Sequence, residues 1–248
     1  MLKIRIIPVL TFNGISLVKT KKFSTPRIVG NPIQSARIYN SRNVDELVFL
    51  DIFATHQKRK INLSLVKKVI DECFMPVTIG GGIKSFDDIN NLLRIGADKV
   101  IIKSKAINDN EFIQKAVSYF GSQCISIAID SFKLNSEYLI FHSGEEKIKL
   151  SSFIKLMNLS KVGELVINSV DHDGMMIGYD IDLFNQVTKL TKIPLVALGG
   201  AGKPEHFKSL LDHGFNGGLA ASSIFHFSQY TPNDIKNCLH NANYPVRI

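Results

Sequence analysis

Several side chains in this 248-residue chain have the types and settings that acid–base and anion-binding chemistry needs. Asp130 closes the apolar run CISIAID. A carboxyl group at the end of such a run is partly withdrawn from water, which raises its pKa and suits it to proton transfer near neutral pH. The same position would also serve an N-cap or a salt bridge. A comparable run, Ile6-Ile7-Pro8-Val9-Leu10, leads instead into Thr11, whose hydroxyl does not ionise in a useful range. Asp51 and Asp173 follow apolar runs at positions related by half the chain and could bind substrate hydroxyls.

Two glycine clusters could hold phosphate: Gly80-Gly81-Gly82 and Gly199-Gly200-Ala201-Gly202. Glycine lets backbone N–H groups approach an anion closely, and a helix starting just beyond adds its dipole. Each cluster is matched by a loop after the next apolar run, Lys103-Ser104 for the first and Ala220-Ala221-Ser222 for the second. Tight turns that need glycine for geometry alone are the other reading. Asn168-Ser169, with Asp171, Asp173 and Gly174 just beyond, completes the substrate-binding candidates.

Other chemistries find little support. Cys73, Cys124 and Cys238 are odd in number and far apart, which argues against a metal cluster or a disulfide framework, and Cys124 is expected in the core. His172, His206 and His226 lack metal-ligand spacing and are expected at the surface or supporting a site. No cofactor is expected. The net charge of +8 comes from scattered residues, with Lys58-Arg59-Lys60 the longest run and Lys19, Lys21 and Lys22 a looser cluster. A solvated basic surface explains this, as does a field that draws a phosphorylated substrate. Aromatic residues do not interleave with the charges, so a nucleic-acid platform is not expected. No apolar run reaches the roughly 18–20 residues that cross a bilayer, and Met1 leads directly into a strand, so a cytoplasmic protein without a signal peptide is expected.

The elements that position these residues alternate along the chain. Strands are expected at Leu2–Leu10, Glu46–Asp51, Val77–Gly80, Lys99–Lys103, Cys124–Asp130, Glu164–Asn168, Leu195–Leu198 and Gly218–Ala221. They are short and rich in Val and Ile, as strands buried on both faces are. Amphipathic helices are expected between them, at Ile61–Cys73, Asp87–Ile95, Glu111–Phe120, Ile181–Leu190 and Pro204–His213. An internal repeat selects the architecture. From Gly80 and again from Gly199, 119 residues later, glycines are followed by a lysine, a helix with a Leu-Leu pair, a glycine, a short strand and a small-residue loop. Two similar (βα)₄ halves close naturally into one α/β domain, a (βα)₈ barrel, whose functional residues stand at the carboxyl ends of the strands.

These residues match a family. The segments RIIPVL, DELVFLDI, TIGGGI, GADKV, GSQ…AID, GE…DHDG…GYD, ALGGAGKPEHF and LAAS…FHF closely resemble the cyclase subunit of imidazole glycerol phosphate synthase, the HisF family, from Ile4 to about Phe227. The resemblance implies a lyase-type synthase subunit that works with a HisH-type glutaminase. Ammonia made by that partner would enter the bottom of the barrel and cross it to a substrate carrying a phosphate at each end. A charged ring at that entrance matches Arg5, Glu46, Lys99 and Glu164, and Asp98 matches a position at the glutaminase interface. Two acids and two bases in one ring make physical sense, because a buried charge costs several kcal/mol unless paired. A structural salt-bridge layer is the alternative.

The resemblance places two catalytic aspartates at the ends of strands one and five. Asp130 matches the second, and Thr11 stands at the first. Losing a general base typically costs about 10²–10⁴ in rate. Lys19 matches a catalytic lysine on a mobile first loop, Lys103 stands where the family usually has asparagine in a phosphate loop, and one extra residue near Ser222-Ser223 alters the other phosphate loop.

The chain also resembles a HisF-like branch, WbuZ, through VLTFNG, LVKTKKFSTPRIVGNP, ECFMP and the tail NYPVRI. That likeness implies a barrel that supplies ammonia to a separate amidotransferase, which converts an N-acetyl group on a nucleotide-linked sugar to an acetamidino group. Amidination for surface polysaccharide is therefore the leading expectation. The alternatives are an authentic cyclase of histidine biosynthesis with a substituted base, and a phosphate-binding scaffold that only activates its glutaminase. The related isomerase HisA fits less well, since it too needs a carboxylate at the end of strand one.

Overall fold

The computed structural model describes residues 3–144 and 146–248, so Leu2, the expected start of the first strand, lies outside the described residues. The strands are β1 (Ile6–Phe12), β2 (Leu17–Lys19), β3 (Arg27–Gly30), β4 (Leu47–Asp51), β5 (Val77–Gly80), β6 (Lys99–Ile102), β7 (Ile125–Leu134), β8 (Glu137–Ile140), β9 (Glu164–Ser169), β10 (Leu195–Leu198) and β11 (Gly218–Ala221). In the order β1, β4, β5, β6, β7, β9, β10, β11, eight of them pair in parallel. β11 returns to β1 in the register Ile6–Leu219, Ile7–Ala220, Pro8–Ala221 and closes the barrel.

The helices are α1 (Pro32–Ser41), α2 (Leu63–Ile70), α3 (Phe86–Arg94), α4 (Ser104–Asn108), α5 (Asn110–Phe120), α6 (Leu150–Ser160), α7 (Ile181–Leu190), α8 (Pro204–Asp212), α9 (Ser223–Phe227) and α10 (Pro232–Asn241). Their starts are chemically specified. The Asn31 side chain caps α1, and Ser85 with Asp88 forms a reciprocal capping box on α3. Outward-pointing strand residues such as Ile6, Ile79, Ile127 and Ile167 pack with the apolar helix faces in one large core. Inward-pointing Ile7, Val9, Val48, Ile101, Val166, Val196 and Ala220 form a second core inside the barrel.

The eight expected strands are the eight barrel strands, with shifted ends. β1 continues through Thr11 to Phe12, and β7 runs four residues beyond Asp130. Lys103 falls just outside β6, at the N-cap of α4. α2 is shorter than Ile61–Cys73 because Asn62 caps its start. Two antiparallel additions were not anticipated. The β2–β3 hairpin continues from β1, and β8 folds back on the second half of β7. α1, α4, α6, α9 and α10 were also not anticipated. Cys124 is half-buried in a short turn before β7, not a core residue. Among the described residues, no helix is long and apolar enough to cross a membrane.

Candidate active site

A cavity of about 370 Å³ opens at the carboxyl ends of the barrel strands. Thr11, Lys19, Asp51, Gly81, Gly82, Lys103, Ser104, Asp130, Asn168, Asp173 and Ser222 all line it, so residues far apart in the chain converge as expected.

Asp130 is held from two sides. One carboxylate oxygen receives the Lys103 ammonium, and the other accepts from Asn168 Nδ2 at 3.0 Å. The ammonium also lies over two aromatic rings, 5.8 Å from the centroid of Phe23 and 5.7 Å from that of Phe141. Those rings meet edge to face at 5.3 Å. Phe23 comes from the turn between β2 and β3, and Phe141 directly follows β8. Lys103, just past the end of β6, thus carries a cation paired with the aspartate in β7.

Thr11 lies in the same cavity and donates its hydroxyl hydrogen to Val18 O across the hairpin. Asp51 is not free to bind substrate hydroxyls. It is 3% exposed, with Oδ1 accepting from Ala54 N (3.1 Å), Phe53 N (3.3 Å) and Arg59 Nη2 (2.8 Å), while Oδ2 takes Arg59 Nη1. This corrects its expected role: Asp51 shapes the loop that follows β4 and anchors Arg59. Gly81 packs against that aspartate so closely that an added Cβ would lie 2.6 Å from Asp51 O, and its φ of +131° is a glycine conformation.

Lys19 is buried at the end of β2, on a strand rather than a free loop. Burial lowers its pKa, and the charge of Asp173 offsets this only in part. Asp173 moves the opposite way: burial raises it, Lys19 pulls it down and Asp130 pushes it up. Lys19 and Asp173 are therefore the site's strongest candidates for proton exchange besides Asp130. His226, half-buried, is pushed down to about 4 by burial and by Lys19, so it is neutral at physiological pH.

The second glycine loop borders a smaller adjoining space of about 10 Å³, lined by Lys19, Asp173, Gly174, Gly199, Gly200, Ala221 and Ser222. A space of that size is about one water molecule. At Gly200 an added Cβ would lie 2.0 Å from Gly178 O, whose own N–H bonds back to Gly200 O at 2.8 Å. Ser222 turns its hydroxyl to Val9 O.

At the opposite end of the barrel the four gate candidates form a closed alternating ring. Arg5 bridges Glu46 (2.6 Å) and Glu164 (2.5 Å), and Lys99 bridges Glu46 (2.9 Å) and Glu164 (3.1 Å). Thr78 Oγ1 adds a bond to Glu46 at 2.7 Å. Burial pushes the Glu46 carboxyl up, but Lys99, Arg5 and these hydrogen bonds outweigh it and hold the group below its ordinary value. Asp98 is exposed at this end and accepts from Val77 N at 2.8 Å.

Three contributors escaped the reading of the sequence. Arg59 sits in a basic run that looks solvated, while Phe23 and Phe141 stand among ordinary loop residues. Only their partners, distant in the chain, reveal them.

The chain is a closed (βα)₈ barrel with a paired charge ring at one end and, at the other, a cavity lined by ionisable side chains. Residues 5–231 match the family model described as "Histidine biosynthesis protein". The chain is 41% identical to the imidazole glycerol phosphate synthase subunit HisF of Natranaerobius thermophilus, with all of both chains covered. It is 40% identical to the HisF subunits of Dehalococcoides mccartyi and Thermococcus onnurineus, in each case over 100% of this chain and 99% of theirs. The chain belongs to the HisF family of imidazole glycerol phosphate synthase subunits, a family of enzymes. These likenesses favour the histidine-biosynthesis alternative over the leading expectation of sugar amidination, which none of these descriptions mentions.

Proposed function

We propose that this barrel is the ammonia-using subunit of a glutamine-dependent synthase of the imidazole glycerol phosphate type. The closed ring Arg5–Glu46–Lys99–Glu164 carries this reading. It seals one end of a barrel whose interior is apolar and whose other end opens on Asp130. A HisH-type glutaminase would dock around that ring, near Asp98, and neutral ammonia would cross the interior to the cavity. There a substrate with two phosphates would span the Gly81-Gly82-Lys103-Ser104 side and the Gly199-Gly200-Ala221-Ser222 side. The smaller space on the second side must widen to admit its phosphate. The products would be imidazole glycerol phosphate and the aminoimidazole carboxamide ribotide.

With Thr11 in place of a carboxylate, Asp130 carries proton transfer with Lys19 and Asp173, the pair whose pKa values are drawn toward each other. The Thr11 hydroxyl, committed to Val18 O, supports a second reading: delivery of ammonia to a separate enzyme that amidinates a nucleotide-linked sugar.

The test is turnover of the bis-phosphorylated aminoimidazole-carboxamide ribulosyl substrate by the chain alone with ammonium in excess. Turnover by the wild type, raised by about 10²–10⁴ in Thr11→Asp, is the expected result. A wild type without turnover, with or without rescue by Thr11→Asp, would favour the delivery reading.

A further inference from the structure

Two buried side-chain polar atoms, Ser126 Oγ and Asn168 Oδ1, have no hydrogen-bond partner among the described residues. Buried polar groups are nearly always paired, so two orphans inside one barrel need an explanation. Ser126 is 1% exposed and Asn168 is 6% exposed.

Their places follow from the strand register. Ser126 stands beside Glu164 across the β7–β9 pair and beside Ile101 across the β6–β7 pair. Alternate residues of a strand share a face. Ile125, Ile127 and Ile129 point outward into the helix-side core, while Ala128 and Asp130 line the cavity. Ser126 therefore points into the barrel, one layer, or about 6.6 Å, below Ala128 at the cavity floor. Glu164, Val166 and Asn168 run up the neighbouring strand in the same sequence of layers. Counted from the charge ring, Ser126 is in the first layer, Ala128 and Val166 form an apolar layer above it, and Asn168 stands beside Asp130 above that.

The free atoms have a definite chemistry. The other hydroxyl near the ring, that of Thr78, is committed to Glu46. Both Glu164 oxygens are taken by Arg5 and Lys99, which leaves the Ser126 hydroxyl able to donate and to accept. Asn168 Nδ2 is committed to Asp130, so its free atom is an acceptor. Gly199 keeps that acceptor open, since a Cβ there would lie 2.7 Å from it. Ammonia has one lone pair to accept the serine hydrogen and three N–H groups to donate to the amide oxygen. Neither free atom carries the negative charge that an ammonium ion would need in this interior.

We infer that Ser126 Oγ and Asn168 Oδ1 are two interior binding stations for a small neutral hydrogen-bonding molecule, ammonia in the working complex. The assignment to ammonia rests on the proposed function, and the existence of the stations does not.

The test combines a crystal structure with a ratio of rates, for the wild type and Ser126→Ala, with the glutaminase partner assembled. An ordered molecule within about 3.2 Å of Ser126 Oγ is expected in the wild type and is lost in Ser126→Ala. Glutamine-driven turnover is expected to fall about fivefold in Ser126→Ala, the effect of one hydrogen bond, while ammonium-driven turnover, supplied through the open mouth, stays unchanged. An empty site in the wild type overturns the inference. An occupied site with an unchanged ratio would mark a bound water and overturn the assignment to ammonia, while the station itself would stand. Failure of both nitrogen sources to support turnover would overturn the proposed function instead, and the density at Ser126 would then decide the stations alone.

Discussion

Lys103 and Asp130, 27 residues apart in the chain, form an ion pair beneath the edge-to-face rings of Phe23 and Phe141. The same lysine lines one cavity with Gly81 and Gly82, so the cation paired with Asp130 shares that cavity with the place proposed for a phosphate. Lys103→Met is expected to weaken the binding of inorganic phosphate about tenfold, as the loss of one charge-assisted hydrogen bond does. Titration calorimetry measures it. Unchanged affinity would mean that the lysine serves Asp130 alone.

The charge ring is held by mutual satisfaction. Lys99→Met would leave two buried carboxylates sharing only Arg5, and removing one member of a buried pair costs about 3–5 kcal/mol. Urea unfolding at neutral pH measures this. A loss within about 1 kcal/mol, the range of exposed pairs, would mean that water already screens the ring.

The ring also sets an acid limit. Glu46 has its pKa held below the ordinary 4.5 in the folded chain, so folding favours its ionised form. Its contribution is therefore fully present above pH 4.5 and is lost as pH falls through the lower folded value. Glu46→Gln is expected to be less stable than wild type at pH 7, with a shallower loss on acidification. Parallel pH profiles for the two would exclude the ring as the source of acid sensitivity.

The barrel was legible because its eight strands are short Val- and Ile-rich runs and because the halves repeat 119 residues apart. Thr11 and Asp130 are themselves one repeat apart, so the contrast between a hydroxyl and a carboxylate at matching strands is legible in the sequence. The hairpins were not legible, since β2 and β8 have three and four residues and no period long enough to register. The commitment of Asp51 to Arg59 was hidden for a different reason. Lys58 and Lys60 on either side are exposed, and nothing in the run KRK marks the middle residue as turned inward. The orphan at Ser126 could not be foreseen either, because a serine within an apolar strand shows its lack of a partner only when every neighbour is placed.

The two hairpins grow from β1 and β7, the first and fifth staves of the barrel, and they bring Phe23 and Phe141 together above the cavity. Equivalent points of the two halves have thus each contributed one flap to a shared roof. The two rings line the cavity side by side, so its rim is shared between flaps that are unlike in sequence yet twins in placement. The scaffold has kept its twofold plan at the roof while giving it up at the pair of residues underneath.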